Sequence, residues 1–375
     1  MDIFSNKQVL IVGILSKLIL SIFLMLTESG LSGSAINVPA NFVFGDSLVD
    51  VGNNNYIVSL SKANYVPNGI DFGQPTGRFT NGRTIVDIIG QELGLQGFTP
   101  LYLARSTRGI SVLVHGVNYA SGGGGILNHT GKIFGGRINL DAQIDNFANT
   151  RQDIISAIGV SATLELLQNG LFSITIGSND FINNYLTPVI SVPEQKLVSP
   201  QVFVATMISR FRLQLTRLYM LGAQKIIVAN VGPIGCIPFQ RELNPEAGNN
   251  CFSYPNQLAQ MFNTQLRSLI QELSSNLEGS KFAYANVYGI VDDIIQNSRS
   301  YGFENSDSSC CYLAGRFGGL IPCGPPSKVC PDRSKYVFWD AFHPSDSANL
   351  IIARRLLDGN CNDIFPFNVR RLVTL

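Results

Sequence analysis

Histidine is scarce in this chain. Of 375 residues only His115, His129 and His343 are histidines, and His343 follows an acid by three positions in FWDAFHPSD, residues 338–346. A serine hydroxyl becomes a useful nucleophile when an imidazole takes its proton, and the imidazole serves best when an acid fixes its tautomer. If DAFHP turns tightly before Pro344, the side chains of Asp340 and His343 project the same way and form such a pair. His115 precedes an expected strand and His129 lies inside NHT (128–130), positions that suit a surface or loop better than a base. Acid-x-x-His is common by itself, so the pair needs a partner.

Ser47, in FVFGDSLVD, is the candidate. It follows a strongly β-forming run and a glycine, where its hydroxyl would stand at a strand exit and a following helix would offer free N–H groups. Asp46 and Ser47 are also good helix caps, and the local sequence leaves both roles open. The chain has no G-x-S-x-G, which removes the nucleophile elbow of the ordinary α/β-hydrolases. Acyl transfer further requires hydrogen-bond donors for the developing oxyanion, each worth on the order of 10²–10³ in rate. Gly122 in ASGGGG can present its backbone N–H without steric cover, and Asn179 in GSND can present a side-chain amide. Each sequence is also an ordinary turn. Their weight comes from standing at successive strand ends.

Those ends belong to short β-type runs that alternate with long amphipathic stretches, the pattern of an α/β fold with a parallel sheet flanked by helices. Strands are expected at Ala40–Gly45, His115–Ala120, Leu171–Gly177, Ala223–Val231 and Lys281–Val287. Helices are expected over 81–94, over 199–222 with Ser199 as cap and Pro200 in the first turn, and over 256–279. In such sheets sites gather beyond the carboxyl ends of the strands, which is where GDSLVD, SGGGG and GSND fall.

The remaining features speak to compartment and partners. Lys7 and Lys17 precede the apolar run Leu18–Leu26, and small residues follow at Ser32–Ala35, the order of a secretory signal peptide over residues 1–35. An uncleaved anchor over Val9–Thr27 would bury Lys17 in mid-span at roughly 2.5–3.5 kcal/mol. No later stretch is apolar for long enough to span a bilayer, so residues 36–375 are read as a single exported domain. All seven cysteines lie between Cys236 and Cys361, which allows up to three bridges and leaves one thiol over. A zinc site at Cys310, Cys311, Cys323 and Cys330 fits poorly, because adjacent cysteines without a C-x-x-C pair do not have metal-ligand spacing. Asn128 heads the one glycosylation sequon. With 45% hydrophobic and 14% charged residues and a net charge of +1, the chain has a large core and no basic or acidic block to suggest a nucleic-acid partner.

Four blocks in order, FVFGDSLVDVGNNN, GVNYASGGGGIL, ITIGSNDFINNYL and FWDAFHPSDSAN, resemble those of the plant GDSL esterases and lipases within the SGNH hydrolase superfamily. The similarity runs from about Ala40 to about Ile364 and includes GPIGCIP (232–238) and the paired cysteines Cys310 and Cys311. Tyr312 follows that pair where the family often has glycine. The resemblance implies a three-layer, flavodoxin-like α/β/α sandwich with a central, mainly parallel sheet, no cofactor and no metal. It further implies carboxylic ester hydrolysis by Ser47 as nucleophile, His343 as general base and Asp340 as its orienting acid. Ser47 N–H, Gly122 and Asn179 then form the oxyanion hole. Substrates would be acyl esters of lipids, polyesters or acetylated wall polysaccharides. Two alternatives are acyl transfer to a hydroxyl other than water, and an extracellular binding protein that keeps the fold without turnover.

Overall fold

Asn41–Gly45 forms the first strand, β1, and each of its residues is buried. A strand covered on both faces needs apolar side chains on both, which is why NFVFG does not alternate. Phe42 and Phe44 point to one side and meet the ring of Phe147 at centroid distances of 5.3 and 5.8 Å. Val43 points to the other and joins Val49, Val86 and Ala120. One strand thus carries the wall of two helical layers.

The computed structural model describes residues 38–187, 198–248 and 250–375, so the expected signal peptide lies outside the described residues. Strands β2 (Leu171–Thr175), β3 (Lys225–Ala229) and β4 (Lys281–Ala285) follow β1 in parallel and in spatial order, and β5 (Ile364–Phe365) pairs antiparallel with β4. Around the sheet lie α1 (Ile85–Glu92), α2 (Leu140–Ile158), α3 (Pro200–Met220), α4 (Ser253–Asn276), α5 (Val287–Gln296) and α6 (Asp346–Asp358). Helix α3 packs on α2 and α4, while α6 packs on α1 and α5. The result is the α/β/α sandwich with a mainly parallel sheet.

Four strands fall within their expected ranges. His115–Ala120 does not form a regular strand: Asn41 N–H donates to His115 O and Val43 N–H to Val117 O, both at 3.0 Å, but the pairing is an isolated bridge. On its other side Asn118 exchanges hydrogen bonds with the irregular Pro100–Tyr102 segment, which limits its extension. Helix α3 begins as expected, with Ser199 Oγ accepting from Val202 N–H and Pro200 in its first turn. Helix α1 starts later than its expected range, at a capping box of Thr84 and Asp87. Asn81 and Arg83 are instead engaged with Asp346 at the start of α6. The cysteine-bearing segment after α5 contains short ladders, Asn305–Ser309 with Tyr336–Phe338 and Cys311–Tyr312 with Lys328–Val329. Bridges join Cys236–Cys251, Cys310–Cys330 and Cys311–Cys323, and Cys361 is an exposed free thiol. Among the described residues no cluster has the makings of a metal site, and no helix is long and apolar enough to cross a membrane.

Candidate active site

The loop after Tyr336–Phe338 closes on itself. Trp339 N–H donates to His343 O at 2.8 Å, and Phe338 bridges Pro344. Inside this turn Asp340 Oδ1 accepts the N–H groups of Phe342 at 2.9 Å and His343 at 2.8 Å. The same oxygen lies 2.8 Å from His343 Nδ1, and Oδ2 lies 3.0 Å from it. Next to a carboxylate Nδ1 carries the proton, which leaves Nε2 as an acceptor. Nε2 is 2.8 Å from Ser47 Oγ. Phe79 packs on the imidazole at a centroid distance of 5.1 Å. Behind the turn Cys310 N–H donates to Phe338 O at 3.1 Å and Cys311 N–H to Trp339 O at 2.6 Å. Both disulfides pack on buried Trp339, whose indole donates to Asn68 at 2.9 Å.

Ser47 reaches His343 because β1 ends abruptly. A Cβ on Gly45 would stand 2.4 Å from Thr175 O, so only glycine lets β1 pass this close to β2. The chain then turns, with Asp46 O accepting from Val49 N–H at 3.2 Å and Asp50 N–H at 2.9 Å. No α-helix follows, contrary to expectation: the next element is the short 3-10 segment Asn53–Tyr56. The reason lies in the side chains of Asp50, Asn53 and Asn54, which are buried and directed at the glycine loop rather than at a helix of their own.

That loop differs from the sequence reading in one respect. Gly122 does not have a free N–H, because it donates to Asp50 Oδ2 at 2.9 Å. Its neighbour Gly123, at φ +79°, is the glycine that lines the cavity beside Ser47 and Asn179. Neither Ser47 nor Gly123 has its amide engaged in a hydrogen bond among the described residues. Asn179 Nδ2 uses one hydrogen on Gly124 O at 3.0 Å, and its Oδ1 accepts from Asn183, so one amide hydrogen remains. His129 sits on the exposed surface with Nε2 3.0 Å from Asn184, and His115 is exposed; neither lines the cavity beside Ser47. Asn128 is exposed as well.

Sequence reasoning missed the residues that hold this loop. Asp50 Oδ1 accepts Gly52 and Asn53 N–H at 2.8 Å each. Asn53 Nδ2 donates to Asn118 O and Ala120 O, both at 2.9 Å, and Asn54 Nδ2 donates to Gly122 O at 2.8 Å. At the far end Asp180 accepts Ile126 and Leu127 N–H at 2.9 Å and the Thr130 hydroxyl at 2.7 Å. The available signal was the density of Asp and Asn in VDVGNNN and GSND, side chains able to accept or donate to a neighbouring backbone.

The profile of the family described as GDSL-like Lipase/Acylhydrolase matches residues 42–356. The chain belongs to that family. One GDSL esterase/lipase of Arabidopsis thaliana is 65% identical over 361 residues, covering 96% of this chain and 97% of its own length. Another from the same plant is 49% identical over 338 residues, covering 89% and 87%, and a third is 42% identical over 340 residues, covering 90% and 92%. The protein is accordingly a GDSL-type carboxylic ester hydrolase.

Two features of this GDSL hydrolase follow from burial. Its motif aspartate, Asp46, accepts Leu48 N–H at 3.0 Å through Oδ1, while Oδ2 is buried without a partner. Burial pushes its carboxyl up to about 7, against the pull of the Leu48 N–H. Asp50 and Asp180 are pushed up to about 6 each for the same reason, moderated by the N–H groups they accept. Above them opens a cavity of about 360 Å³ whose walls include Leu48, Ile182, Ile234, Phe239 and Phe342, with Ser47, Asn179, His343 and Lys62 among its polar residues.

Proposed function

We propose that the protein is a secreted serine esterase that hydrolyses acyl esters through an acyl-enzyme. The observation carrying this reading is the unbroken chain Ser47 Oγ to His343 Nε2 at 2.8 Å and His343 Nδ1 to Asp340 at 2.8 Å. In the first step Ser47 Oγ adds to the ester carbonyl as its proton passes to Nε2. The oxyanion takes hydrogen bonds from Ser47 N–H, Gly123 N–H and the remaining hydrogen of Asn179 Nδ2. Collapse expels the alcohol, which leaves with the proton from Nε2. Water then repeats the cycle on the acyl-enzyme, releasing the acid and restoring Ser47. Asp340 keeps its charge throughout and stabilises the imidazolium.

The apolar walls of the cavity favour an acyl chain over a sugar as the group bound there. Three disulfides support an oxidising destination, in keeping with the leader read at residues 1–35. The test is to label the wild-type enzyme and Ser47→Ala with a fluorophosphonate, alongside turnover of p-nitrophenyl butyrate. Ser47 is expected to be the modified residue, with turnover lost in the variant and its melting temperature kept. A variant as active as the wild type would sink the reading.

A further inference from the structure

Among the described residues Lys62 is the only lysine or arginine that lines the cavity above Ser47. It is half-buried, and its ammonium has neither a hydrogen-bond acceptor nor an ion-pair partner among those residues. The acids at the same cavity are engaged elsewhere: Asp340 holds His343, and Asp46 accepts Leu48 N–H. Two neutral donors come from the same stretch of chain. Tyr65 lines the cavity with a hydroxyl that makes no hydrogen bond among the described residues. Asn68 is buried and uses Oδ1 on the Trp339 indole at 2.9 Å, which leaves its NH2 without a partner among them. The stretch is tied at both ends. Asn54 Nδ2 donates to Ser61 O at 2.7 Å and Ser61 N–H to Ser59 Oγ at 3.0 Å, while Gly69 N–H donates to Thr80 O at 2.9 Å. Asn54 also holds Gly122 O at 2.8 Å, so Lys62 is positioned from the same anchor as the glycine loop.

We infer that Lys62, with Tyr65 and Asn68 from the same stretch, forms a donor wall that takes a carboxylate on the alcohol part of the ester, so that the substrate is an acyl ester of a hydroxy acid. An ester has two arms, and they sort by chemistry. Ile182, Ile234 and Phe239 suit an acyl chain; a carboxylate set against them would lose its hydration without gaining a partner. The leaving oxygen takes the proton of His343 Nε2 and therefore faces the turn that carries the imidazole. The stretch from Ser61 to Gly69 borders that turn. Asn68 binds Trp339, and burial followed by the nearby charge of Asp340 pushes the Tyr65 hydroxyl up. Phe79, packed on the imidazole, reaches the other end of the stretch: a Cβ on Gly122 would stand 2.7 Å from the Phe79 ring and 2.8 Å from Ser61 Oγ. The alcohol thus leaves along the wall that holds Lys62. One ammonium matches one carboxylate. A phosphate monoester, at about −1.5 to −2, would bring charge that no second cation neutralises, at a cavity where Asp46 and Asp340 already stand. The inference rests on the esterase reading above and names the alcohol part of its substrate.

The experiment compares kcat/KM for two soluble esters of one acyl group, 4-butyryloxybenzoate and its neutral twin 4-butyryloxybenzamide, each divided by its rate of uncatalysed hydrolysis. The full enzyme is used as wild type, Lys62→Met and Lys62→Arg. Wild type is expected to prefer the benzoate by about tenfold or more, the scale of a hydrogen bond to a charged group. The preference is expected to vanish in Lys62→Met and to persist in Lys62→Arg, whatever either substitution does to both rates together. A second pair, 4-nitrophenyl hydrogen adipate and 4-nitrophenyl hexanoate, moves the carboxylate to the acyl arm, and there the charged ester is expected to be the poorer substrate. Equal wild-type use of benzoate and benzamide overturns the inference. So does a benzoate preference that Lys62→Met leaves unchanged, or a wild-type preference for the adipate, which would put the charge on the acyl side. The wild-type comparisons decide the matter even if neither variant folds. Absence of turnover on every ester would instead defeat the esterase reading. Calorimetric binding of 4-hydroxybenzoate against 4-hydroxybenzamide to the wild type would then test the donor wall by itself, and equal binding would overturn it.

Discussion

Replacing Asp50 by Asn isolates what holds the glycine loop to which the proposed mechanism assigns an oxyanion donor. Asp50 Oδ1 accepts two N–H groups at 2.8 Å and Oδ2 accepts Gly122 N–H at 2.9 Å. Asparagine preserves one acceptor. Facing its carbonyl toward Gly52 and Asn53 turns its NH2 toward Gly122, so a buried donor meets a donor. An unpaired buried N–H costs about 1–3 kcal/mol, and the loop relieves it by moving Gly122, carrying Gly123 along. Loss of a single oxyanion donor lowers turnover on the order of 10²–10³, which sets the upper bound. With partial displacement, kcat for p-nitrophenyl butyrate is expected to fall between about tenfold and that bound, with KM nearly unchanged because the acyl walls come from other segments. Fluorophosphonate labelling at Ser47 should persist at a reduced rate, showing that the nucleophile and base are intact. A folded variant with kcat within about twofold of wild type would refute the assignment of Asp50 as the positioning residue, and with it the choice of Gly123.

Two further outcomes follow from the same geometry. Burial raises the carboxyls of Asp46, Asp50 and Asp180 from 3.8 to about 7, 6 and 6, so between about pH 4 and 7 the folded state holds protons that the unfolded chain has released. Stability therefore falls as pH rises through that window, and the melting temperature is expected to be higher at pH 5.5 than at 7.5; a melting temperature that climbs with pH would contradict the burial. Removing the Cys310–Cys330 bridge by Cys310→Ser/Cys330→Ser opens a loop of sequence separation 20, a loss of about 3 kcal/mol. Because Cys310 N–H also holds Phe338 O, kcat should drop with the melting temperature, and unchanged kcat would show that the bridge does not brace the catalytic turn.

Much of the fold was legible because parallel strands buried on both faces leave continuous apolar runs. Asn41–Gly45, Leu171–Thr175, Lys225–Ala229 and Lys281–Ala285 all stand out this way. Ser199 and Pro200 marked the start of α3 for the same local reason that they cap it. Ile364–Phe365 was not read as a strand: a two-residue edge pairing has no periodicity, and its identity depends on Tyr284 and Ala285 lying opposite. Asn81 and Arg83 were read into helix α1 because nothing near them reveals Asp346, their partner from the other end of the chain.

The site divides along the same line between local and distant contacts. Asp340 Oδ1 accepts from Phe342 N–H and His343 N–H and faces Nδ1, all within the turn it belongs to. A pair built by its own turn is visible in D-x-x-H, and the fold has only to bring Ser47 across 296 positions to complete it. The choice between Gly122 and Gly123 has no such local trace. Four consecutive glycines are equivalent until Asp50, 72 positions away, claims one amide and thereby frees the next for chemistry. In the proposed mechanism the oxyanion hole is thus set by a carboxylate that touches neither substrate nor base. A serine hydrolase of this construction can lose its rate through a residue that leaves nucleophile, imidazole and acid untouched.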